Sequence, residues 1–274
     1  MKPSLLIAAG CSWVAGKYID RDPTLADVDY SYVEDPAFVA EHSFAGIIKR
    51  QLRIDEIKIL ADHGSSNQEQ VRKILSFLEA NQDSYSQIFV LWGVTSIYRW
   101  EVYDARLDRP VTCLVGKVYR DNPALTDEIK YNFKHHWDRD YELEKLGNQV
   151  ASLSGYLKQQ KIDHLFFNSF HSVTDTNLKI RSVTKANYYY VNDNNNDMLS
   201  FLCKENNVPL SKSSVPWLNL VKPSEDSQYH TPAVKELRRQ GWLDLATAHP
   251  TVRAHQAIAD ELFRYIEDNK NERI

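Results

Sequence analysis

The chain has 274 residues, 43% hydrophobic and 26% charged, a size and balance that suit one large domain with a full core. Its formal net charge of −4 offers no basic excess for nucleic acid, and no apolar run approaches the ~20 residues that span a bilayer. Three cysteines, Cys11, Cys113 and Cys203, share no metal-ligand spacing and cannot all pair, which favours a reducing, cytoplasmic setting.

The first apolar run, Leu5-Leu6-Ile7-Ala8-Ala9-Gly10-Cys11-Ser12-Trp13, admits two readings: an export signal cut before Cys11, or a buried strand ending on Ser12. A signal needs a basic start and about 7–15 apolar residues before its cleavage site. Here Lys2 is the only early charge, Pro3 interrupts, and Ser4 to Gly10 supplies seven residues. Ala8-Ala9-Gly10-Cys11 does resemble a lipoprotein cleavage box, but with Ala8 where a large aliphatic residue is usual. The strand reading also accounts for the block after Cys11 and is preferred.

Further along, Phe44, Ile47, Ile48 and Leu52 predict a helix over 44–52, and Ile57 to Ala61 a second strand. Val71, Ile74, Leu75 and Leu78 form a helical stripe over 68–78. Ile88-Phe89-Val90-Leu91-Trp92 is the strongest strand signal. Leu143, Leu146, Val150, Leu153 and Leu157 predict a helix over 141–158, His164 to Asn168 a fourth strand, and Ala254, Ile258, Leu262 and Ile266 a last helix over 251–267. Strands alternating with helices predict a parallel sheet covered on both faces. Two irregular insertions interrupt this single domain of residues 1–274. One is near 101–140, with Pro110 and Pro123; the other is near 169–196, whose end carries the Asn/Asp run from Asn192 to Asp197.

Four blocks could meet at one site. The first is Gly10-Cys11-Ser12-Trp13: ligands bind beyond the carboxyl ends of parallel strands, and a serine there becomes a nucleophile if a base takes its proton. Otherwise Ser12 only caps the next segment. The second is Asp62-His63-Gly64-Ser65-Ser66-Asn67-Gln68, either a set of backbone N–H groups for an anion or an ordinary N-cap by Ser65, Ser66 or Asn67. The third is Trp92-Gly93-Val94-Thr95-Ser96, with Arg99 and Glu101 just after it. The fourth is Asp244-Leu245-Ala246-Thr247-Ala248-His249-Pro250, with His255 beyond. Pro250 fits a first helical position, and a loop histidine titrating near neutrality suits general base work. His255 reads as structural.

In this order the blocks resemble the SGNH hydrolases, or GDSL esterase/lipase family, across nearly the whole chain. The resemblance implies a flavodoxin-like three-layer α/β/α fold and a serine ester hydrolase without metal or cofactor. It gives Ser12 as nucleophile, His249 as base, and the Ser12 and Gly64 N–H groups as oxyanion donors. The chain departs from the family at three places. Thr95 stands where the family has an oxyanion asparagine, so the Thr95 hydroxyl or Asn67 would donate instead. Ala246 stands where the acid partner of the histidine belongs. That leaves Asp244 as a substitute, a backbone carbonyl that orients the ring, or a Ser–His dyad. Cys11 replaces the usual aspartate; it could itself be the nucleophile, but strand alternation turns it away from Ser12, and the resemblance selects Ser12. Gly-Cys-Ser, Gly-x-Ser-Asn and Arg-x-Glu resemble variants among SGNH-like proteins of phages and bacteria, which implies that Arg99 and Glu101 replace the missing polar partners, Arg99 binding a carboxylate or sugar substituent, and that Trp13, Arg99 and Glu101 contact substrate. The alternative is a plain Arg–Glu pair at a helix start. Small acyl esters, including O-acetyl groups of a glycan, are the expected substrates, with neither nucleic acid nor membrane as partner. The alternatives are a non-catalytic SGNH-like binding module and an O-acyltransferase.

Overall fold

The computed structural model describes residues 2–20, 35–105, 108–114, 127, 131–132, 134–169, 183, 187–189, 197–209, 231–245 and 247–272. In chain order the elements are β1 (Ser4–Ala9), α1 (Ser12–Ala15), α2 (Pro36–His42), α3 (Phe44–Gln51), β2 (Glu56–Ile59), α4 (Asn67–Asn81), β3 (Gln87–Val94), β4 (Arg99–Asp104), β5 (Arg109–Leu114), α5 (Arg139–Gln159), β6 (Asp163–Asn168), α6 (Met198–Glu205), α7 (Pro232–Arg239) and α8 (Val252–Asp268).

Four strands form one sheet in the order β2-β1-β3-β6, every neighbour parallel. Isolated parallel bridges from Phe166 to Tyr188 and from Asn168 to Asp197 continue it beyond β6. The side-chain period of two splits the central strands between two cores. Leu6, Ala8, Phe89, Leu91, Leu165 and Phe167 pack with Ile48 of α3, Leu202 of α6, Leu237 of α7 and Leu262 of α8. Leu5, Ile7, Val90, Trp92 and Phe166 face the other way, onto Ile74 and Leu78 of α4 and Val150 and Leu157 of α5. The result is the expected three-layer α/β/α sandwich. Its β2-β1-β3 order is the one that flavodoxin-like sheets use.

The region near 101–140 differs from expectation, because part of it is an antiparallel hairpin, β4 with β5. Trp100 and Val102 pack around Cys113 and Val111 on one face, while Arg99, Glu101 and Thr112 fall on the other. The alternation was present, but in segments of only six residues each. Most of 115–133 and of 170–196 lies outside the described residues, including most of the Asn/Asp-rich run.

Candidate active site

The carboxyl end of the sheet draws the first three blocks together through hydrogen bonds. At the end of β1, Gly10 adopts φ +145°, and a Cβ there would lie 2.5 Å from Val14 Cγ2 and 2.7 Å from the Gly93 carbonyl oxygen. Only glycine lets β1 turn into α1 so close to β3. The Gly10 carbonyl accepts from Asp62 N–H (3.2 Å) and from the Ser65 hydroxyl (2.8 Å), and its N–H donates to Gln70 Oε1 (2.9 Å). Ser66 is the N-cap of α4, accepting from Glu69 N–H. Beside it, Asn67 grips the end of β3 reciprocally: its Oδ1 accepts from Thr95 N–H and its Nδ2 donates to the Thr95 carbonyl, both at 2.9 Å.

Ser12 opens α1 and is 5% exposed. Among the described residues its hydroxyl makes no hydrogen bond, and neither its N–H nor that of Gly64 has an acceptor. Gly64 holds φ +74°, and a Cβ there would meet nothing within 4 Å. The Thr95 hydroxyl is buried without a partner. The Asn67 Nδ2, the group that would donate to an oxyanion, already gives one hydrogen to the Thr95 carbonyl, so in this structure Asn67 fixes the loop that carries Thr95.

His249 arrives from the loop before α8. That loop is a tight turn: Ala248 N–H donates to the Asp244 carbonyl, and Asp244 N–H to the His249 carbonyl. The turn puts Ala248 at φ 55°, a left-handed conformation that costs a non-glycine residue about 1 kcal/mol or more. The expected Pro250 at a helix start is corrected: α8 begins at Val252, and Pro250 instead bridges to Leu243. The His249 ring meets Tyr18 edge to face, centroids 5.2 Å apart, and lies 6.3 Å from the ring of His63. Tyr18 follows Lys17, whose N–H donates to the Ser12 carbonyl, and His63 precedes Gly64. The fourth block thus reaches the first and second through these two rings. Neither was given a role from sequence, because a contact between three loops leaves no periodic trace.

The ring chemistry differs from expectation. Burial pushes the His249 pKa down to about 3, helped by the nearby charges of His63, Arg99 and His255; the Thr247 backbone opposes the shift, short of hydrogen-bond geometry. Both ring nitrogens are buried with no hydrogen-bond partner. No hydrogen bond therefore joins the His249 ring to Ser12 or to the Asp244 carboxylate in this structure. The Asp244 Oδ1 instead accepts from the Thr247 N–H and hydroxyl, each at 2.7 Å, which closes the turn. Ala246 lies outside the described residues. His255 is structural, as expected: its Nδ1 accepts from Phe44 N–H at 3.2 Å and its ring stacks on Phe44.

The expected substrate contacts divide. Trp13 is buried in the core with Val14 and Phe44. Arg99 and Glu101 lie on strand β4 rather than at a helix start, and they do not pair with each other there: Glu101 binds Arg72 of α4 at 2.6 Å. Arg99 is buried and close enough for its charge to act on His249. Among the described residues no group of three or more His, Cys, Asp or Glu could hold a metal, and none of the three cysteines is in a disulfide.

No family model matches the chain, and no curated protein matches it. Solved structures that match include the psychrotrophic esterase EstA from Pseudoalteromonas sp., at 10% identity over 98% of this chain and 99% of that one, with a TM-score of 0.42. A catalytic mutant of Axe2, an acetylxylan esterase from Geobacillus stearothermophilus, matches at 12% identity over 97% and 96%, TM-score 0.39. Phospholipase A1 from Streptomyces albidoflavus NA297 matches at 9% identity over 98% and 99%, TM-score 0.35.

Proposed function

We propose that this protein is a serine ester hydrolase of the SGNH type, acting on small acyl esters such as O-acetyl groups on a glycan. Ser12 Oγ attacks the ester carbonyl while His249 takes its proton. The N–H groups of Ser12 and Gly64 and the Thr95 hydroxyl hold the oxyanion. The alcohol leaves with the proton from His249; water then gives a proton to the same ring and adds to the acyl-enzyme, and Ser12 Oγ departs from the released acid, recovering that proton from His249. The observation that carries the reading is the unspent chemistry at the carboxyl edge of the sheet. An imidazole with both nitrogens unused, a buried hydroxyl without a partner, and two N–H groups without acceptors lie in interlocked loops. A base held near pKa 3 is weak alone. The charge developing on the substrate oxygen favours the imidazolium and offsets part of its burial, and catalytic hydrogen bonds often tighten only when substrate binds.

One finding favours a second reading, a non-catalytic binding module of the same fold: neither the Ser12 hydroxyl nor the Asp244 carboxylate is bonded to the His249 ring. Hydrolysis of p-nitrophenyl acetate by the wild type and Ser12→Ala separates the two. We expect kcat to fall about 1,000-fold or more in the variant. Equal rates remove Ser12 from catalysis and leave the binding module.

A further inference from the structure

We propose that Tyr18 is a positioning residue that holds the His249 ring in the orientation it needs to take the Ser12 proton; the inference rests on the roles of Ser12 and His249 proposed above. Three observations carry it. First, the two rings meet edge to face at 5.2 Å and 68°. This geometry sets the positive rim of one ring against the π face of the other and restricts rotation. Second, among the described residues no hydrogen bond reaches either ring nitrogen of His249, and the Asp244 carboxylate closes its own turn. Packing therefore orients this imidazole, where a carboxylate usually would. Third, Tyr18 sits at φ 63° and Ala248 at φ 55°, two of the six non-glycine residues with positive φ among those described. A bulky residue keeps that conformation only where its surroundings over-determine it. Both strained residues flank this one contact.

Tyr18 is also tied to the nucleophile. Gly16 ends α1 in the left-handed conformation, Lys17 N–H donates to the Ser12 carbonyl at 3.0 Å, and Ile19 N–H to the Gly16 carbonyl. The turn that carries Tyr18 is thereby fixed to the helix that begins with Ser12. A ring held by that turn sets the base relative to the hydroxyl. The titratable and charged groups facing His249 are His63 before α4, Arg99 on β4 and His255 on α8, and all three disfavour its cation.

The test uses the full chain with Tyr18→Phe, Tyr18→Leu and Tyr18→Gly, the last of which also relieves the left-handed strain and so guards against a folding failure. Kinetics on p-nitrophenyl acetate are read beside the NMR titration of the His249 ring. Tyr18→Phe should stay within about threefold of wild type, whereas Leu and Gly should lower kcat by about 30-fold or more with KM within about threefold. The His249 signal, flat from pH 8 to 5 in the wild type, should titrate toward the ordinary histidine range in Tyr18→Leu and Tyr18→Gly. Wild-type kcat in both variants, with Ser12→Ala inactive, overturns the inference and leaves the proposed function intact. A wild type with no esterase activity brings down the proposed function instead. The titration then decides the ring contact, and an unchanged His249 signal in Tyr18→Gly overturns it.

Discussion

Ser154 and His164 form a hydrogen-bonded serine–histidine pair, Oγ to Nε2 at 2.8 Å. The His164 Nδ1 faces the Ile162 carbonyl at 3.1 Å, so that nitrogen carries the proton and Nε2 accepts from the serine. Both residues are buried between α5 and the start of β6, with nothing left to offer a substrate. A satisfied pair stabilises; an unsatisfied one at a strand's carboxyl end can do chemistry. Thr95 is the clearest case of the second kind. Its hydroxyl has given up water and received nothing in return, a cost of about 1–3 kcal/mol. Thr95→Val replaces it with a methyl of similar size. We expect the variant to be as stable as the wild type or up to about 1 kcal/mol more stable in urea unfolding. Its kcat on p-nitrophenyl acetate should fall about 10- to 100-fold through loss of an oxyanion donor. A drop in stability would instead mark Thr95 as a packing residue.

At the scale of elements, Asn67 joins α4 to the end of β3 by two bonds to the backbone of one residue. Asn67→Ala would strand a buried N–H and a buried carbonyl together, so we expect a loss of about 2 kcal/mol or more by chemical denaturation, with kcat falling as the Thr95 loop loosens. The core elements were legible because each is long and periodic enough to show the face it buries. The stripe through Val71, Ile74, Leu75 and Leu78 marks α4, and the run from Ile88 to Trp92 marks β3. The hairpin was not: Trp100, Val102, Val111 and Cys113 pack mainly on one another, in short strands of which one contains Pro110. Site residues read from strand ends, Ser12, Gly64 and Thr95, come to one edge of the sheet because parallel topology puts all strand ends there. Glu101 was legible as a charge but not as the partner of Arg72, a choice made by how the hairpin docks on α4. Tyr18 and His63 meet His249 through loops far apart in the chain, and spacing along the sequence carries no record of such contacts.

Across the whole molecule, the imidazoles of His249 and His255 are both buried, and both ring pKa values are pushed down to about 3, chiefly by burial. In the unfolded chain the same groups titrate near 6.5. Between those values the unfolded state binds a proton that the folded state refuses, so folding stability falls as the pH drops below about 6.5 and the loss levels off near 3. Each imidazole contributes about 1 kcal/mol per pH unit inside that window. Over the two units from 6.5 to 4.5 the pair is therefore worth an appreciable part of the 5–15 kcal/mol that typically holds a domain folded. His255→Asn isolates one of them. The asparagine Oδ1 can accept from Phe44 N–H as Nδ1 does, so the tie between α8 and the start of α3 survives while the titrating group is gone. Urea unfolding of wild type and His255→Asn at pH 7.0, 5.5 and 4.5 should show similar stabilities at pH 7.0 and a shallower acid loss in the variant, by about 1 kcal/mol per pH unit below 6. Parallel curves would mean that the His255 ring takes up its proton within the fold, through an opening of the α3–α8 contact.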